Sequence, residues 1–113
     1  MSKAVPSTLF GRRLRAARTR AGLPQDRLGV LIGLDEGCSS ARISRYETGT
    51  HEPPFSIAVS LAKVLKIPVA YLYCIEDDLA ELILNLGRLT RRNRGVVAKK
   101  IQRIARTDNS AGL

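Results

Sequence analysis

A chain of 113 residues with 19 lysines and arginines against 10 acids carries a formal charge of +9 and an isoelectric point near 10.4. That length holds one compact core with an element or two to spare, and that charge suits a polyanionic partner. No apolar run approaches the ~18 residues needed to cross a bilayer, and the opening MSKAVPSTLF lacks the apolar centre of a signal peptide, so a soluble cytoplasmic chain with no membrane partner is expected.

Residues 1 to 6 read as a loose arm, after which Ser7 or Thr8 can cap a helix. That helix is expected from about Thr8 to Ala21, because Phe10, Leu14, Ala17 and Ala21 recur at helical spacing and Gly22 can end it. Its other face carries Arg12, Arg13, Arg15 and Arg20, expected in solvent and together favourable to a phosphate backbone. A second helix follows Gly22-Leu23-Pro24, with Pro24 suited to the first helical position and Leu28, Leu31 and Ile32 greasing one side. In the third, ARISRYETG, Ile43 and Tyr46 turn inward together while Ser40, Arg42, Ser44 and Arg45 occupy the rest of the circumference. Two short helices joined by a turn and closed by Gly49 have the shape of a helix-turn-helix, whose second helix can lie in the DNA major groove.

The loop Thr50-His51-Glu52-Pro53-Pro54 leads to a fourth helix near Ser56, with Ile57, Leu61, Val64 and Leu65 at core spacing. Ile67-Pro68-Val69 then turns the chain into a short fifth helix ending at Tyr71, Leu72 and Tyr73. Beyond it the charge alternates: residues 67 to 87 hold four acids and no base, and residues 88 to 113 hold eight bases and one acid. EDDLAELILNLGRL reads as a helix with acids in its first turn, as the macrodipole prefers. Leu79, Leu82, Ile83, Leu86 and Leu89 form its apolar stripe, with Leu84 outside it. A last helix from about Thr90 to Arg106 sets Val97, Ile101 and Ile104 against a field of Arg and Lys. Two amphipathic helices after a finished unit need a surface to cover. Either they pack back on the same subunit or, the favoured reading, Leu79, Leu82, Ile83 and Leu86 make a two-fold homodimer that grips two half-sites.

The segments FGRRLRAARTRAGLPQDRLG, ARISRYETGTHEPP and SLAKVLKIPVAYL, in that order, resemble the Xre/Cro-like helix-turn-helix proteins, phage repressors and small bacterial regulators among them, over residues 9 to 73. The resemblance implies an all-α fold with a five-helix DNA-binding domain in residues 1–73; residues 74–113 lie beyond that unit as a helical extension, a candidate dimerisation element and basic tail. It implies that Arg18 of the first helix pairs with Glu47 near the end of the third, and that Gln25 contacts phosphate. Ser40, Ala41 and Arg45 fall where the family reads bases, and Ser39 and Arg42 where it touches the backbone or caps the helix. Thr50 and His51 correspond to a second backbone-contacting segment. Arg45 can reach guanine O6 and N7, or serve only as a phosphate anchor.

Three departures from the family pattern stand out. Pro24 replaces a capping Ser or Thr, Gly29 takes a small-residue position usually held by Ala, and about four additional residues separate the second and third helices. Those residues either lengthen the turn or add a turn to the start of the third helix, with Asp35 or Ser39 as its cap.

The function implied is a sequence-specific regulator of transcription, a repressor that binds double-stranded DNA as a homodimer. An antitoxin of the same fold, binding a toxin partner and repressing its own promoter, is the alternative. An enzyme is not expected: there is no Gly-rich phosphate loop and no Ser/His/Asp set. With Cys38, Cys74 and a lone His51, the chain falls short of a usual zinc site, so two reduced thiols and no metal or cofactor are expected.

Overall fold

The computed structural model describes residues 6–112, and the arm expected at residues 1 to 6 falls almost entirely outside them. The described residues form helices and no strand: α1 (Leu9–Arg20), α2 (Gln25–Leu31), α3 (Glu36–Thr48), α4 (Phe55–Leu65), a 3₁₀ segment (Val69–Tyr73), α5 (Asp77–Arg88) and α6 (Arg91–Gly112). The fold is all-α.

Local chemistry sets the boundaries. The Thr8 hydroxyl accepts from the Gly11 amide at 3.0 Å and opens α1. Gly22, at φ +73°, closes it while the Leu23 amide reaches back to the Arg18 carbonyl. Pro24 stands at the N-cap of α2 rather than at its first helical position, and it gives no side-chain cap.

The core gathers Phe10, Leu14, Ala17, Leu28, Ile43, Tyr46, Ala58, Leu61, Ala62, Leu65, Tyr71 and Leu72. Leu14, Leu28, Ile43, Leu61 and Leu72 have no exposed surface, and full burial of such a side chain contributes roughly 1.5–3 kcal/mol. Leu31, expected on the inner side of α2, is 44% exposed, because the core contact of this short helix is centred on Leu28.

Two further features differ from what the sequence led one to expect. Arg13, read as solvated, is buried: its guanidinium donates to the Cys74 carbonyl at 2.7 Å and the Ile75 carbonyl at 3.2 Å, meets Asp77 at 2.9 Å and lies 5.6 Å from the centre of the Tyr71 ring. It ties the start of α5 to α1. On α5 the side that enters the core is Ala80 and Leu84, with Ile83 packed beside them. The expected stripe is therefore turned: Leu79 and Leu82 face solvent, and Leu84, read as lying outside the stripe, is the anchor.

α6 begins after Leu89-Thr90. The Thr90 hydroxyl accepts from the Asn93 amide at 3.1 Å, and Arg94 donates to the Leu86 carbonyl at 3.2 Å. From there it runs clear of the core, which stretches the molecule to 55 × 29 × 24 Å. The radius of gyration is 16.8 Å, against about 13 Å for a compact domain near this length.

Candidate nucleic-acid interface

α3 is the element with one side sealed and the other open. Ser39, Ile43, Tyr46 and Glu47 are buried, whereas Cys38, Ser40, Ala41, Arg42 and Arg45 are exposed. It is held at two close approaches. A Cβ on Gly11 would lie 2.1 Å from the Glu47 carbonyl oxygen, and one on Gly29 would lie 1.9 Å from Ser39 Oγ, so both neighbouring helices meet α3 through glycine.

Charge holds it as well. Glu47 has no exposed surface, and its carboxylate takes one edge of the Arg18 guanidinium, Nε donating to Oε2, and Nη2 to Oε1 at 3.1 Å. The same oxygen accepts from Arg15 Nε and Gln25 Nε2, each at 3.1 Å. Burial by itself would push this carboxyl up, but hydrogen bonds from Arg18, Gln25 and Arg15 outweigh it and hold the group below the ordinary carboxylate range.

The expected site residues divide. Ser40, Ala41, Arg42 and Arg45 share the open side of α3, and Thr50 and His51 are exposed in the loop just past it. That loop is folded against the helix end: Gly49 sits at φ +88°, and the amides of Gly49 and His51 both donate to the Arg45 carbonyl, at 3.1 and 3.2 Å. The Thr48 and Thr50 hydroxyls lie 3.0 Å apart.

Gln25 is half-buried and links the ion pair to the open side, since its Oε1 lies 3.5 Å from the Ser40 hydroxyl. Ser39 does not stand with the others. Its hydroxyl donates to the Asp26 carbonyl inside the α2–α3 contact and it has no exposed surface, so it packs helices and offers nothing to a duplex.

The additional residues between the second and third helices extend α3. Asp35 takes the N-cap position, without a side-chain bond, and Glu36 opens the helix. The added turn sets Cys38 in line with Ala41 and Arg45 at i, i+3 and i+7 on the open side. Cys38 thus joins the exposed row. The spacing that shows it becomes visible only when the helix start is known.

These features define a helix-turn-helix: a short helix braced across a second whose outer row is free. Residues 9–72 match the family described as "Helix-turn-helix domain". The chain belongs to that family.

Among curated proteins it is similar to uncharacterized HTH-type transcriptional regulators of Sinorhizobium medicae (strain WSM419) and Rhizobium meliloti (strain 1021). Each is 30% identical over 63 residues, covering 56% of this chain and 42% of the relative. The chain therefore matches less than half the length of these proteins. Among solved structures it resembles the crystal structure of the transcriptional regulator BswR, with 47% identity and a TM-score of 0.79 over 82% of this chain and 92% of that one. That share is too large to be held by residues 1–72 alone, so the likeness runs into the C-terminal helices.

Proposed function

We propose that this protein is a sequence-specific DNA-binding regulator of transcription, a repressor that occludes its operator as a homodimer in the cytoplasm. One observation carries the reading: the outer row of α3, with Ala41 and Arg45 at its centre and Ser40 and Arg42 beside it, is exposed, while the opposite side is locked by Ile43, Tyr46 and the Glu47 ion pairs. A helix fixed in that way can be pressed into a major groove without shifting, so that its side chains meet base edges in one register. Thr50 and His51, held against the helix end, then stand toward the flanking phosphates, and contacts of that kind set position rather than sequence.

The family and the regulators it resembles support the DNA-binding part of the reading. The homodimer rests on the size of the reading surface, since one short helix covers few base pairs and two-fold proteins reach specificity through paired half-sites about one DNA turn apart.

The test is selection of bound duplexes from a random pool. A palindromic motif with half-sites spaced by ~10 base pairs is expected. A pool that stays random after several rounds at moderate salt would overturn the proposal.

A further inference from the structure

α5 is apolar on two opposite sides. Ala80 and Leu84 are 0% and 4% exposed and fill the core, whereas Leu79 and Leu82 are 44% and 56% exposed and point away from it, with Leu86 completing the row. α6 has a matching row in Val97, Ile101 and Ile104, of which Ile101 and Ile104 are more than half exposed. Each row runs over eight residues, seven steps or about 10.5 Å of helix axis. Leu86 and Val97, nearest the junction, are half-buried, while Leu79, Leu82, Ile101 and Ile104 stand exposed; Arg94 bonds the Leu86 carbonyl at the start of α6, and beyond it the helix runs clear of the core.

We propose that α6 is an exchanged element: in the two-fold dimer, the α6 of each copy lies along the outward row of the other copy's α5. This rests on the homodimer reading and goes beyond it by naming the contact.

Charge selects the arrangement. The outward row of α5 is bordered by Glu76 and Asp78, which form no ion pair among the described residues, while Asp77 and Glu81 of the same stretch are paired with Arg13 and Arg20. The row of α6 is bordered by Arg94 and Lys100. As whole helices, α5 holds Asp77, Asp78 and Glu81 against Arg88, and α6 holds seven bases against Asp108, so pairing α5 with α5 or α6 with α6 sets like net charge against like. Crossing α6 onto α5 sets acid against base. Two-fold symmetry repeats the contact, so all four apolar rows are covered and the assembly closes at two copies.

Cross-linking in the full chain tests this. In a background of Cys38→Ser and Cys74→Ser, the middle residue of each row is replaced, Leu82→Cys in one differently tagged copy and Ile101→Cys in the other. Both positions are more than half exposed, so the fold is expected to survive. The two copies are co-expressed, and each is also expressed alone, before mild oxidation.

The expected result is a disulfide-linked dimer from the mixed pair and little from either variant alone. Linked dimer from Ile101→Cys alone or Leu82→Cys alone, at the level of the mixture, would overturn the exchange. Sedimentation of the parent protein separates the two readings. A dimer that gives no mixed cross-link ends the exchange proposal only, and a monomer at tens of micromolar ends the homodimer reading with it.

Discussion

Glu47 is the residue on which the placement of the reading helix depends most, since it is fully buried and joins Arg15, Arg18 and Gln25 in one cluster. Glu47→Ala leaves the buried Arg18 without a counter-charge and is expected to cost about 3–5 kcal/mol, as breaking a buried pair does. Glu52→Ala, at an exposed loop position, should stay within about 0.5 kcal/mol of the parent. Equal melting temperatures for the two variants would show that the cluster does not brace the fold. The pH dependence has a definite sign. The folded-state value of Glu47 lies below its unfolded one, so its contribution is present above the ordinary carboxylate range and is lost as the pH falls through the folded value. The gap in melting temperature between the parent and Glu47→Gln should therefore narrow from neutral pH toward about pH 3. Arg45, exposed on the same helix, is a separate case: as a base contact, Arg45→Ala should lose ~1–3 kcal/mol and relax preference at one base pair, whereas weakening of all duplexes alike would mark a phosphate anchor. The Arg18–Glu47 pair could be anticipated from the family pattern. The role of Arg13 could not, because two of its partners are backbone carbonyls more than sixty residues downstream, and a carbonyl leaves no mark in sequence.

Among the elements, α2 and α3 were legible in their cores and obscure at their junction. Helical periodicity fixes Leu28, Ile43 and Tyr46 as inward positions whatever precedes them. The start of α3 depends instead on whether a few residues coil or extend, and Asp35 and Ser39 are equally plausible caps by chemistry alone. Packing decides it. Ser39 fills the space over Gly29 and bonds the Asp26 carbonyl, so the helix is already formed there and its cap falls back to Asp35. The inner side of α5 is hidden for a related reason, since a helix apolar on two sides gives no periodic signal for which side is inner. The α2–α3 contact yields a sharp prediction. Replacing Gly29 by Ala improves helix propensity by up to about 1 kcal/mol, but the new Cβ would stand 1.9 Å from Ser39 Oγ and 3.1 Å from its Cα. Overpacking of this kind costs ~1–3 kcal/mol and should win. Gly29→Ala is thus expected to melt below the parent, with a smaller loss in a Ser39→Gly background, where most of the obstructing atoms are gone. A variant as stable as the parent would mean that the two helices are not in close contact.

At the scale of the whole molecule, the sign of the charge changes twice along the chain. Residues 1–66 are basic, residues 67–87 carry four acids and no base, and α6 carries seven bases and one acid. The acidic stretch thus lies, along the chain, between two basic ones. If the copies pair through the apolar rows of α5 and α6, binding is two-handed, and each hand releases its own share of counterions from the duplex. Ile101→Asp removes the pairing without touching the core, because Ile101 is 51% exposed and lies beyond every core residue. The variant should keep the parent's thermal stability at concentrations where the parent is monomeric, and it should bind a single half-site as the parent's own half does. Two measured quantities then follow together. Affinity for the full operator should fall by about 10²–10⁴-fold, the range lost when a linked second contact becomes independent. The slope of log affinity against log salt should drop to roughly half, since that slope counts neutralised phosphates and only one reading helix remains engaged. A reduced affinity with an unchanged slope would mean that the same phosphates are still neutralised and both copies still engaged, and Ile101 would then not be what joins them.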